Sequence, residues 1–414
     1  MPEASAPRAY NVVISGASFA GLALARSLLH GFGKDIRIAI IDRAPRTASP
    51  PDDVRAFALS AASKHMLDVL GIWEKVAGEA QAVSEIEITD SGLEAGIRPV
   101  LLTYANQVGE HEPASFIVPS QALSRALHEA VTNVSEIELI APAEASGFEC
   151  GDAGVDVSLS DGRTLRAALL VAADGRRSPL REAAGIKSIG WSYPQIGIVT
   201  TVEHDRPHMG RAVQHFLPGG PFAILPLTGK RSCITWSEDA EEARRILALD
   251  DEGFLAEVDK RFGGKLGAVR LAGPRQSWPL ELHLARRTIA PRFAVIGDAA
   301  HIVHPIAGQG LNLALRDVAA LAEVLADAAR LGLDLGNWDT LERYERWRRF
   351  DSALSAAAFD GLNRLFSNDW TLLRSARDFG LGLVDRVPSL KQLFVTEAAG
   401  LSGELPRLLK GERV

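Results

Sequence analysis

The 414 residues carry 45 Lys+Arg against 52 Asp+Glu, a formal net charge of −7, and 47% of them are hydrophobic. A mean hydropathy of +0.04 fits a globular chain with a large core, and the interspersed charges exclude the concentrated basic face of a nucleic-acid binder. The two cysteines, Cys150 and Cys233, leave no disulfide framework, CxxC redox pair or zinc-finger spacing, which points to a reducing compartment.

In chain order, Met1 to Ala9 lacks the basic-then-apolar layout of a signal peptide. Tyr10 to Ser15 then reads as a short buried strand, Ala20 to His30 as a helix and Ile36 to Ile41 as a second strand closed by Asp42. This strand-helix-strand unit opens a doubly wound sheet. Ala56 to Gly78 reads as helical, with Leu59, Met66, Leu67 and Leu70 on one face, followed by strand-like runs from Glu85 to Leu102. A helix is expected over Ser120 to Val134, and a buried strand ends at Ala173. From Gly185 to Leu284 the pattern becomes an antiparallel sheet over 196–202, 212–216, 222–226 and 232–236, interrupted by a helix from Glu241 to Phe262. Phe293 to Ile296 returns to a buried parallel strand, with a long helix after it from about Asn312 to Leu331 and a helical region beyond Leu341. No apolar run approaches the roughly 18 residues of a membrane span. The expected architecture is α/β: a discontinuous nucleotide-binding domain, an inserted mainly antiparallel domain and a helical C-terminus.

Three segments carry chemistry. Gly16-Ala17-Ser18-Phe19-Ala20-Gly21 occupies the position of a dinucleotide fingerprint: Gly16 for the tight turn, Gly21 for close helix packing, and the helix N-terminus for a pyrophosphate. Ser18 stands where the backbone normally approaches the phosphates as Gly. Asp42, roughly 20 residues further on, is placed to accept from an adenosine ribose, with Arg43 beside it. Asp174-Gly175 ends a buried strand, and Ser178 and Arg181 follow it; alone, an Asp-Gly pair is a turn former. Gly297-Asp298 again puts a carboxylate at a strand end. After it come Pro305, then Gly308-Gln309-Gly310 and a helix start at Leu311-Asn312, which together bring backbone N–H groups to a phosphate or an electron-rich ring. His301 and His304 invite a metal reading, but Pro305 prevents a regular helix through them and no Cys or carboxylate cluster completes a site.

Taken with Arg55, these segments resemble the class A flavoprotein aromatic monooxygenases of the para-hydroxybenzoate hydroxylase type. The run His304-Pro305-Ile306-Ala307-Gly308-Gln309-Gly310-Leu311-Asn312 with Arg316-Asp317 is similar to the signature of the ubiquinone-biosynthesis hydroxylases. Phe222 to Leu227 and Ala399 to Gly403 also resemble that family. Ser18, and Ala314 where Gly is common, depart from it.

The resemblance implies FAD, with Gly16, Ser18 and Gly21 at the pyrophosphate and Asp42 and Arg43 at the adenosine ribose. It places Arg55, Ser120 and Gln121 near the pyrophosphate, Gly297 and Asp298 at the ribityl chain, and Asp174 and Gly175 toward FAD and NAD(P)H. Pro305, Gly308, Gln309, Gly310, Leu311 and Asn312 would line the flavin ring. It implies a flavin C4a-hydroperoxide that hydroxylates a polyprenylated phenol with O2, reduced by NAD(P)H or a ferredoxin-type donor. It further implies a FAD-binding domain over 1–84, 111–185 and 285–350, a substrate domain over 85–110 and 186–284, and a C-terminal helical region over 351–414.

No side-chain nucleophile is required. The protein supplies orientation and a dry cavity. Phe216, Phe222, Ile224, Leu225 and Trp236 are candidates to line an apolar tunnel or are simply core, and Tyr193, His204, Gln214 and His215 are open as groups polarising the phenol. Trp191-Ser192-Tyr193-Pro194 does not provide a halogenase segment. A prenyl-reductase-like flavoprotein, or a flavin-bound assembly subunit of a quinone-biosynthesis complex, is the alternative. Phe359, Leu362, Leu365, Phe366, Trp370 and Leu373 recur at helical spacing and suit packing on the core, or else partner docking or peripheral membrane contact.

Overall fold

The structure is a computed structural model that describes residues 8–45, 53–90, 93, 100–305, 308–366, 392 and 395–414. Among them, eight strands form a first sheet. Its centre is parallel, in the order Ile137–Ile140, Ile38–Ile41, Arg8–Ser15, Thr164–Ala172 and Phe293–Val295. Strand Arg8–Ser15 shows why its sequence lacks polar alternation. Val12 and Ile14 pack into the core under the helices, while Tyr10 and Val13 pack into the core on the other face, so both sides are buried. The hairpin of Ala145–Gly151 and Gly154–Leu159, to which the sequence reading assigned no element, extends this sheet antiparallel beside the first half of Thr164–Ala172.

Helices Phe19–Phe32 and Gly310–Arg330 pack against each other over the parallel strands. Small residues permit the close approach: a Cβ at Gly31 would stand 3.4 Å from that of Ala326. Helix Gly310–Arg330 is buried along nearly its whole length, consistent with apolar residues around most of its circumference.

Among the described residues, nine strands form a second, mainly antiparallel sheet. Strands Gln276–Ala285, Ser188–His204, Arg231–Asp239, Gly220–Leu227 and Arg211–Leu217 run consecutively. Glu85–Asp90 adds to Arg211–Leu217 in parallel, and Val100–Ala105 follows. One face carries helices Ala240–Leu247 and Asp251–Phe262, which enclose Phe222, Ile224 and Trp236 as core. The opposite face sets Val199, Ala212, Leu225 and Cys233 against Val54, Ala56 and Ala58, the segment that carries Arg55. At the other edge, His301–Ile302 pairs with His283 and Leu284, so the stretch after Gly297-Asp298 is stitched directly to this sheet.

Three elements differ from the sequence reading. Ala56–Ser60 is a strand paired with Ser115–Pro119, and helix Ala61–Val69 begins only after Ser60, whose hydroxyl caps it by accepting from the Ser63 N–H. The apolar spacing around Leu59 suited both periods; cross-strand pairing decided it. Glu241 to Phe262 is two helices, because Asp250 N-caps the second by accepting from the Gly253 N–H. Ile196 to Val202 belongs to the long strand Ser188–His204, whose pairing with Gln276–Ala285 is irregular between Ser192 and Ile196.

Helix Trp338–Phe366 follows, and Leu408, Leu409 and Val414 return to the main core. Trp370 and Leu373, and the side chains of Phe359, Leu362 and Phe366, lie outside the described residues; Leu365 is 37% exposed. No helix among the described residues is long and apolar enough to cross a membrane.

Candidate functional site

The separated glycine segments meet at the C-terminal ends of the parallel strands, where ligands sit in such sheets. Gly16 has φ +110°, and a Cβ there would stand 2.2 Å from the Ala173 carbonyl oxygen, so the first turn presses on the strand end before Asp174. A Cβ at Gly21 would lie 1.9 Å from the Gly16 carbonyl oxygen. Gly297 stands close to Ala20, and a Cβ on it would be 3.1 Å from the Ala20 Cβ. Arg181 joins the second and third segments: its buried guanidinium donates to the carbonyls of Arg176 at 3.2 Å and Ala299 at 2.9 Å.

Ser18 precedes helix Phe19–Phe32 with φ −92° and ψ −169°, an extended conformation open to any residue. A glycine is therefore not needed there for backbone reasons. The Ser18 side chain is exposed and makes no capping hydrogen bond. Asp42 accepts from the N–H of Ala17 at 2.6 Å and of Ala44 at 2.7 Å, which ties the end of the second strand to the first turn; Arg43 is exposed.

Arg55 donates twice to Asp53, from Nε and Nη2 at 2.9 Å each, and the Ser120 hydroxyl donates to the same carboxylate at 2.6 Å. Burial alone would raise the Asp53 pKa, but these hydrogen bonds hold it below the usual carboxylate range. Ser120 thus acts through Asp53, with its own side chain fully buried, and Gln121 stands next to it half-buried. Asp298 is exposed to the cleft yet crowded by the turn around it. That crowding raises its pKa against the pull of His301, Arg55 and Arg176. Burial likewise raises the pKa of Asp174, opposed by Ser178, Leu180 and Arg181, while Gly175 takes φ +84°.

After His304, the Gly308 N–H donates to the Pro305 carbonyl at 2.9 Å. Gln309 is the N-cap of helix Gly310–Arg330, and Leu311 is buried beneath. The Asn312 side chain is committed to protein. Its Oδ1 accepts from the Ser60 N–H and the Ser63 hydroxyl, and its Nδ2 donates to the Ala58 carbonyl and Gln309 Oε1. Asn312 therefore fixes the loop against Ala56–Ser60, and the helix start offers free backbone N–H groups and a positive dipole end.

Sequence reasoning gave Asp317 no role of its own. Its buried carboxylate accepts from the Gly297 N–H at 3.0 Å, His301 Nε2 at 2.6 Å and Arg348 Nε at 2.8 Å. Burial would raise its pKa, but His301 and Arg348 outweigh that and hold it below the usual range. Asp317 lies two turns into the helix that starts at Gly310, so one side chain fixes the Gly297-Asp298 turn relative to the loop. The only trace in the sequence was its place beside Arg316 in the family signature. His301 is thereby engaged, and among the described residues no three His, Cys, Asp or Glu side chains gather to hold a metal.

This cleft fits a dinucleotide with a flavin. It has a first turn too tight for any Cβ, an uncapped helix N-terminus with an unengaged Ser18 hydroxyl, and a carboxylate, Asp298, turned into the opening. Such a constellation defines a dinucleotide-binding protein of the doubly wound α/β class. A family profile described as FAD binding domain matches residues 9–350. The chain is 43% identical to the ubiquinone hydroxylase UbiL of Rhodospirillum rubrum, over 98% of this chain and 94% of that one. It is 31% identical to the 3-demethoxyubiquinol 3-hydroxylase of Escherichia coli, over 94% and 98%. The solved p-nitrophenol 4-monooxygenase PnpA of Pseudomonas putida shares the fold, with a TM-score of 0.79 at 18% identity over 96% of this chain and 99% of that one. The chain belongs to the FAD-dependent aromatic monooxygenases, within the ubiquinone-biosynthesis hydroxylase family.

Proposed function

We propose that this protein hydroxylates the aromatic ring of a polyprenylated phenol in ubiquinone biosynthesis, using O2 and electrons from NAD(P)H. The observation that carries the reading is the convergence of all three glycine segments and the Pro305 loop on one cleft, in a chain similar over nearly its full length to two quinone-ring hydroxylases. Gly16, Ser18 and Gly21 hold the pyrophosphate, Asp42 the adenosine ribose and Asp298 the ribityl chain. Arg55, oriented by Asp53 and Ser120, supplies positive charge beside them. When bound, FAD supplies the activation of O2 that puts one oxygen atom on the ring.

The remaining tasks belong to this chain's residues. The N-terminus of helix Gly310–Arg330 stabilises negative charge at the ring edge of the cofactor. The second sheet covers the cleft and keeps water out, since water there diverts the oxidant to hydrogen peroxide. Phe222, Ile224 and Trp236 are turned away into the opposite core and take no part in that cover, whereas Leu225 is on the side of Val54 and Ala58.

Mass-spectrometric quinone profiling of cells lacking the protein tests the reading. The expected result is loss of ubiquinone with accumulation of a prenylated intermediate lacking one ring oxygen, restored by the wild-type chain. An unchanged quinone profile refutes it. A ferredoxin-type donor is distinguished from NAD(P)H by which reductant bleaches the flavin of the purified protein.

A further inference from the structure

Four polar side chains of the second sheet region, Tyr193, His204, Gln214 and His215, are chemically able to meet the phenol oxygen, and the structure separates them. His204 is engaged by the Arg206 carbonyl and the Ser232 hydroxyl. The Tyr193 hydroxyl donates to Asp360. His215 is hydrogen-bonded to Thr89 and lies beside Phe222, 6.4 Å between centroids, on the side of the sheet turned away from the cleft. Gln214 differs from all three: its Nε2 is buried and has no hydrogen-bond partner among the described residues.

Strand alternation puts Gln214 on the cleft side. Ala212, two residues before it in Arg211–Leu217, packs with Leu225 and Cys233 against Val54, Ala56 and Ala58, whereas Val213 packs with Phe222 and Ile224 in the opposite core. Pairing across the sheet sets Ile88 on one side of Gln214 and Ala223 on the other. These two and Gln214 are half-buried, while His215 and Phe222 on the reverse face are buried, as suits the wall of an open space. Ala58 also meets the ring-lining loop, since a Cβ on Gly308 would stand 3.2 Å from the Ala58 Cβ. The wall therefore runs from that loop past Ala212 to Gln214, about 7 Å further along the strand. Its other members there, Ile88, Ala223 and Leu225, are apolar.

We infer that Gln214 is a specificity-determining contact of the hydroxylation: its Nε2 donates a hydrogen bond to an oxygen substituent of the substrate ring and so fixes which edge of the ring meets the Pro305 loop. The inference rests on the hydroxylase reading above and names a substrate contact that reading leaves open. Its chemistry follows from donor and acceptor counting. A carboxamide nitrogen carries two N–H donors and no acceptor. Buried and unpaired, it bears the desolvation cost of a hydrogen bond not made, which an acceptor brought by a ligand offsets. A phenol oxygen and an aryl methyl ether oxygen both accept, whereas a bare ring carbon does not. A single donor in an apolar wall thus holds the ring by its oxygen and leaves the prenyl chain to the apolar residues.

The test uses the FAD-loaded full-length protein and three probes with the same short prenyl chain: the phenol, its O-methyl ether and the arene lacking that oxygen, each titrated by the change in flavin absorbance. Wild type is expected to bind phenol and ether about tenfold more tightly than the arene, the scale of one hydrogen bond. Gln214→Leu should bring all three within about twofold by weakening the oxygenated probes. It should also leave the urea midpoint of the apoprotein equal or higher, because an unpaired buried amide is removed. Gln214→Met, unbranched and apolar, gives the same reading should the branched side chain not fit. A merely structural role for Gln214 would lower the midpoint and weaken all three probes in parallel with their ratios kept, which overturns the inference. So does a wild type that binds the arene as well as the phenol, or one that prefers the phenol to ether and arene alike, since that calls for an acceptor. Failure of wild type to bind any probe brings down the hydroxylase reading and this inference with it, whereas binding without preference removes only the inference.

Discussion

Replacing Asp317 by Asn tests how the site is held together. The substitution preserves shape and removes one negative charge from a carboxylate that accepts three hydrogen bonds, from Gly297, His301 and Arg348. Hydrogen bonds to a charged group contribute about 1.5–3 kcal/mol each, and unpairing one member of a buried ion pair costs about 3–5 kcal/mol. Asn retains one acceptor oxygen, and Asp351 still accompanies Arg348, so the lower end applies: about 3 kcal/mol of a total near 5–15 kcal/mol. Because the Gly297 N–H is one of the three donors, the loss is expected to appear in cofactor binding as well. Urea denaturation of apoprotein and holoprotein, with FAD affinity from fluorescence quenching, should show a lower midpoint and an FAD Kd raised about tenfold, equivalent to about 1.4 kcal/mol. The sign with pH is fixed. Asp317 has a folded pKa below its unfolded value near 4, so its stabilisation is present above that value and is lost as pH falls through the folded pKa. The difference between wild type and the Asn variant should therefore shrink only in strong acid. An Asn variant with wild-type midpoint and FAD affinity at neutral pH would refute the assigned role.

Gly21→Ala should yield apoprotein or insoluble chain, since the added Cβ would stand 1.9 Å from a backbone oxygen that has nowhere to go; a soluble yellow variant would show that the helix can shift. Asp298→Ala should purify colourless, as judged by flavin absorbance, if its carboxylate takes the ribityl hydroxyls. Ser18→Gly should leave FAD affinity equal or tighter while costing up to about 1 kcal/mol of stability through backbone entropy. A tenfold weaker FAD would instead identify the Ser18 hydroxyl as a phosphate ligand.

What was legible in the sequence is what a one-dimensional spacing encodes. The first turn, the acidic residue after the second strand and the parallel strands could be read because a turn of fixed length and a strand buried on both faces each impose a local residue pattern. Ala56–Ser60 was misread because its apolar spacing fits a helix face and an inward strand face equally, and only pairing with Ser115–Pro119 chooses between them. The residues that lock the site had no local pattern to offer. Arg181 joins the second and third segments across 118 positions, and Tyr193 meets Asp360 across 167. Asn312 was named for the ring-lining loop, but its side chain is spent on Ser60, Ser63, Ala58 and Gln309. A family signature therefore marks positions without distinguishing a residue that touches the cofactor from one that holds such a residue in place. That distinction depends on where each polar atom finds its partner. By that criterion Asn312 braces the cleft from within the protein, whereas Asp42 spends one bond of each carboxylate oxygen on Ala17 and Ala44 and keeps further lone pairs for the ribose proposed above.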